Sequence, residues 1–148
     1  MERWLSNAGV EYVWMGDGLG GWRKRGLGTS SPNLGWSSPG FRNYADHTLT
    51  EDFRAAVEEL MLLALARTTC FMCAERHYFR CHRRILSDYL ACRGWRVIHI
   101  VDAKTVVEHR LTSFARLRDG VLVYPPPEKE TAGSLRKRPR KTDRASAL

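Results

Sequence analysis

Nowhere does this sequence offer about eighteen consecutive apolar residues, the least a membrane-spanning helix needs. Its most apolar segment, Leu60 to Ala66, is short and lies mid-chain. The first residues, MERWLSNAG, lack the apolar stretch of an export signal. No internal repeat is visible. Acidic residues are scarce, with 16 Asp and Glu against 24 Lys and Arg, a formal net charge of +8. From these absences a soluble, cytoplasmic protein without a membrane partner is expected. Four cysteines in such a chain read as reduced thiols rather than a disulfide framework.

What is present suits one packed domain: 148 residues, 43% of them hydrophobic. Half of the charge excess sits in residues 128–148, which carry RKRPRK and few apolar groups. That stretch predicts a disordered basic tail, leaving a single domain over residues 1–127. The body is only mildly basic. Nucleic-acid binding would therefore rest on the tail and on Arg23, Lys24 and Arg25.

Along the chain, Val10 to Met15 predicts a short buried strand. Gly16, Gly18 and Gly21 then match G-x-G-x-x-G, but a Gly/Ser/Pro-rich loop follows where a dinucleotide site needs a helix. The loop's amides beside Arg23 could hold an anion, or the loop is simply solvated. Residues 26–47 read as irregular, a flap or lid packed by Trp36, Phe41 and Tyr44. A helix begins near Thr48 or Thr50, with Thr48 and Glu51 at capping-box spacing and Phe53, Val57, Leu60, Met61 and Ala64 on one face. Thr68 to Ala74 predicts a central parallel strand, Cys81 to Arg93 a helix stopped at Gly94, and Trp95 to Val101 another strand. A short helix is expected over 102–110 and a hairpin around Asp119-Gly120. The sum is an α/β fold with three layers, a mainly parallel sheet, flanking helices and a C-terminal β-hairpin.

Chemistry concentrates in Cys70 to Arg84, CFMCAERHYFRCHRR. On the predicted elements this is a strand-to-helix turn at the carboxyl end of a central strand, where open α/β sheets bind ligands. Cys81, at a helix start beside Arg83, is expected to have a lowered pKa. Cys73 would be a second thiol across the loop. Glu75 would orient His82 or accept a proton, or pair with Arg83 as a structural cap. Cys73, Glu75, Cys81, His82 and Arg83 are thus the candidate catalytic residues. Cys70 and Cys73 form a C-x-x-C match, but on a strand they would face opposite ways, so it is read as coincidence. The C-x7-C-H spacing matches no common zinc motif, so a metal held by Cys73, Cys81 and a histidine is the weaker reading and none is assigned. His99 reads as a core or strand-end histidine, and His109 as a rim or helix-capping group.

Cys73-x-Glu75 followed by Cys81-His82-Arg83 resembles the signature of the bacterial and archaeal domain-of-unknown-function family numbered 488. Leu19-Gly20-Gly21, Ser31-Pro32-Asn33, Gly35-Trp36, Phe41-Arg42, Tyr44-Ala45-Asp46 and Glu108-His109-Arg110-Leu111 are similar to further motifs of that family, extending the resemblance over residues 8–127. The resemblance implies a fold class and site positions, not an activity. Gly20, Gly21, Arg23, Arg42, Tyr44 and Asp46 join as candidate anion- or substrate-binding residues. Members begin with a further strand, helix and strand, so the domain is expected to be N-terminally incomplete and to expose a strand edge. Two function classes stay open. One is a cysteine- and arginine-lined site that is thiol-dependent or binds a small anion. The other is a nucleic-acid-binding or purely structural domain. No cofactor is named by the sequence.

Overall fold

The computed structural model describes residues 1–128; the expected tail therefore lies almost wholly outside the described residues. Helix α1 spans Glu2–Asn7 and the single turn α2 spans Gly16–Leu19. Helix α3 spans Pro39–His47, inside the segment expected to be irregular. Ser38-Pro39-Gly40 reads as a turn, yet proline at the first helical position loses no hydrogen bond and presets φ, so the same residues start a helix. Tyr44, Ala45 and Asp46 are its buried face.

Helix α4 spans Glu51–Ala66 and buries Phe53, Val57 and Leu60, as its spacing predicts. Its cap is Thr50, whose Oγ1 accepts from the Phe53 amide at 3.2 Å. Thr48 is not the cap; it donates to the Ala45 carbonyl at 2.7 Å and closes α3. Helix α5 spans Arg83–Ala91 and buries Ile85, Leu86, Tyr89 and Leu90. Gly94 follows at φ +83, a conformation that ends helices and suits only glycine well.

The expected sheet is overturned. Residues 10–15 and 68–74 form no strand. Their β-branched and aromatic residues favour extended backbone, but a strand exists only where a neighbour supplies the ladder. Two separate antiparallel hairpins stand in its place. Strand β1, Ile98–Ile100, pairs with β2, Val106–Glu108, setting His99 opposite Val107. The helix expected over 102–110 is absent because Asp102 turns the chain back, its Oδ1 accepting from the Lys104 amide at 2.8 Å. Strand β3, Arg116–Arg118, pairs with β4, Val121–Val123, through Asp119 and Gly120, both at positive φ. This hairpin is where the sequence places it.

One core joins these parts. Phe53, Val57 and Leu60 of α4 meet Tyr44 of α3, Ile85, Leu86 and Tyr89 of α5, and Leu122 and Tyr124 at the end of β4. Trp36 stacks on Phe41 and meets Phe114 edge-on, each at 4.8 Å. The 26–47 segment is thus a packed cover, as its aromatics suggest. Asn33 ties it to the C-terminal hairpin by accepting from the Tyr124 amide at 3.0 Å. No described helix is long and apolar enough to cross a membrane.

Candidate functional site

The segment between α4 and α5 folds on itself through short-range hydrogen bonds. Glu75 turns the chain after Cys73, its amide donating to Cys73 Sγ at 3.4 Å while its carboxylate accepts from the His77 amide at 3.3 Å. One 3-10 turn, Tyr78–Arg80, then delivers Cys81 just before α5. The two sulfurs come to rest 3.6 Å apart. All four cysteines are free thiols. Cys70 reaches only the Phe71 carbonyl, so the C-x-x-C pair takes no part.

Arg83 fixes the pair. Its Nε donates to Cys81 Sγ at 3.1 Å, and its Nη2 donates to the main-chain oxygens of Glu75 and Arg76. The Glu75 carboxylate itself does not meet Arg83, so the expected ion pair is replaced by a contact to the backbone. The expected lowering of the Cys81 pKa is also overturned. Burial raises it, and the Arg83 hydrogen bonds oppose but do not cancel that effect. Cys81 precedes the first residue of α5, and His82 holds the capping position.

His82 completes the cluster. Its ring lies 5.1 Å from that of Tyr44, and a Cβ added at Gly21 would fall on it. Glycine at 21 is thus a requirement of close approach. Burial, then Arg83 and Arg23, push the His82 pKa down to about 4, so the ring is neutral near pH 7. Cys73, Cys81 and His82 each offer one ligand atom, all within 4.8 Å of one another, and are the described residues able to hold a metal ion.

The candidate anion-binding residues divide. Gly20 ends α2, and with Gly21 it forms the wall against His82. Tyr44 donates to the Leu19 carbonyl at 2.9 Å behind that wall, and burial holds its hydroxyl protonated. Arg23 lies near enough to depress His82, and its Nη2 donates to the Asp17 carbonyl at 2.9 Å. Arg42 instead binds the carbonyls of Trp36 and Ser37. Asp46 is buried and accepts from Ser31 Oγ, the Leu27 amide and Asn33 Nδ2 at 2.5–2.8 Å. Those two residues hold the cover segment rather than the thiol site.

A second polar cluster escaped the sequence reading. Asp88, fully buried on α5, meets His109 at 2.8 Å, and His109 meets His99 at 2.9 Å. The His99 ring stacks on Tyr78 with centroids 3.5 Å apart. Burial, then His109 and Arg83, lower the His99 pKa to about 4. A cavity of about 30 Å³ lies against His99, Tyr78, Arg76 and Arg83, so Arg83 borders both clusters. The available signal was a carboxylate three residues after Ile85, on the apolar stripe of the helix.

No curated protein and no solved structure matches the chain. A family model does, that of the domain of unknown function DUF488, over residues 1–90. That span is well over half of the chain and takes in Gly20, Gly21, Cys73, Cys81, His82 and Arg83, and on this match the chain belongs to the DUF488 family.

Proposed function

We propose that Cys73 and Cys81 act together as a dithiol at the entry to α5, making this a thiol-dependent site. The observation that carries the reading is the 3.6 Å separation of the two sulfurs with Arg83 Nε 3.1 Å from one of them. A guanidinium there offsets the charge of one shared thiolate. The same geometry disfavours an anion cradle, because Arg83 already spends its Nε on sulfur and its Nη2 on two carbonyls. Nucleic-acid binding draws on no comparable convergence of groups among the described residues.

The test is oxidation by diamide of a Cys70→Ser/Cys92→Ser variant under native conditions. Forming the disulfide removes two protons and two electrons from the thiols, and both pass to the N=N bond of diamide, which becomes a hydrazine. The expected result is rapid loss of both thiols, with peptide mapping showing Cys73 joined to Cys81. Arg83→Gln should slow the step. Independent modification of the two cysteines, with no intramolecular bond formed, would overturn the dithiol reading.

A further inference from the structure

We infer that Cys73, Cys81 and His82 form a three-ligand site for a thiophilic d10 cation such as Zn(II), with a fourth position open. The inference rests on the dithiol reading and adds His82 and an occupant to it.

The distances suit such an ion. With metal–sulfur bonds of about 2.3 Å, two thiolates on a tetrahedral centre lie about 3.8 Å apart. The sulfurs here lie 3.6 Å apart without any ion between them. A ring nitrogen of His82 lies within 4.8 Å of both, so closing the site asks for a shift of at most about 1 Å, given the metal–nitrogen bond of about 2.0–2.1 Å. The donor set, two sulfurs and an imidazole, is one that soft thiolate ligands and zinc share.

The surroundings suit it too. The His82 ring is held in place between Gly21 and Tyr44, which partly shields it from water and positions it beside the sulfurs. The Arg83 Nε–H donated to Cys81 Sγ is the kind of outer hydrogen bond that orients a ligating thiolate. A dication with two thiolates is neutral, and Arg83 then leaves the site with a single positive charge. That favours an anionic or readily deprotonated group in the fourth position. Glu75 does not fill it, since its carboxylate is turned to the His77 amide.

The experiment titrates the full-length, reduced protein with Co(II) chloride, then displaces the cobalt with Zn(II). One equivalent should bind, with thiolate-to-cobalt charge-transfer absorption and the intense visible bands of a tetrahedral centre. Cys73→Ser, Cys81→Ser and His82→Gln should each weaken binding by at least about tenfold, while Cys70→Ser/Cys92→Ser should leave it unchanged. Should a variant fail to fold, alkylation of the unmutated protein decides the matter: Zn(II) should protect Cys73 and Cys81 and leave Cys70 reactive. Absence of the charge-transfer band, or a band of undiminished intensity and affinity in Cys73→Ser, would overturn the metal site. Diamide coupling of the two cysteines without cobalt uptake would remove the metal and leave the dithiol standing.

Discussion

His109 Nε2 lies 2.8 Å from Asp88 Oδ1, with both side chains almost wholly buried. The same carboxylate accepts from the Thr112 amide at 2.9 Å and from the Tyr124 hydroxyl at 2.8 Å. On its other side His109 Nδ1 lies 2.9 Å from His99 Nε2, so Asp88, His109 and His99 form one connected chain of polar groups. His99 in turn lines the small cavity that Arg83 also borders.

Asp88→Ala should therefore be severe. It leaves three buried donors without a partner, each worth about 1–3 kcal/mol. Urea unfolding should show a loss of at least about 3 kcal/mol, and Tyr124→Phe, which removes one donor along with its bond, a smaller loss. A change below about 1 kcal/mol for Asp88→Ala would mean that water replaces the carboxylate.

Stability should fall on mild acidification. The folded pKa of His99 is pushed to about 4, below the ordinary value of 6.5, and burial lowers that of His47 in the same direction. For both groups the unfolded chain takes up the proton first. The stabilisation is therefore complete above about pH 6.5 and is lost as pH falls towards 4. The groups facing His99 are His109, Tyr78 and Arg83, and none offers it a negative charge. Denaturation midpoints between pH 7 and 4.5 should decline, and His99→Gln, which keeps a hydrogen-bonding partner for His109, should flatten the curve. An unchanged slope in that variant would place the titration elsewhere.

Gly21→Ala tests the wall behind the thiol site. The added methyl falls on the His82 ring, so the ring must leave or the backbone must shift. Overpacking of this kind costs about 1–3 kcal/mol. Nuclear Overhauser contacts between His82 and Tyr44, whose rings lie 5.1 Å apart, should vanish. If they persist at unchanged stability, Gly21 is not a packing requirement.

Thr50→Ala should remove the α4 cap and lower stability by about 1 kcal/mol, whereas Thr48→Ala should not act through that helix. Thermal unfolding of both variants separates the two threonines. Equal effects through α4 would contradict the capping geometry.

Legibility in the sequence followed the range of the interactions. The stripe of α4, the stop at Gly94 and the turn at Asp119-Gly120 are local patterns, and each took the form expected of it. Residues 10–15 and 68–74 carry strand-like composition, but their partners would have to come from elsewhere in the chain, and none arrives among the described residues. The helix at Pro39 was hidden because the same Ser-Pro-Gly residues serve turns and helix starts alike. At the site, the density of reactive groups in Cys70 to Arg84 was plain, and Cys73, Cys81, His82 and Arg83 do come together. The sign of the Cys81 shift was not readable, since it is set by burial rather than by neighbouring residue types. Asp88, His99 and His109 were invisible as a unit because a hairpin, not sequence proximity, aligns them.

The two sulfurs that meet before α5 are only eight positions apart in the chain. Joining ends so close removes less freedom from the unfolded chain than a cross-link over a long loop, although the dependence on loop length is only logarithmic. Oxidation at this point would reshape one short segment and the start of one helix, whereas a metal held there would add its binding free energy to the stability of the folded chain. Because Arg83 both donates to Cys81 and borders the His99 cavity, a change of state at the sulfurs would be felt at that second cluster through one side chain.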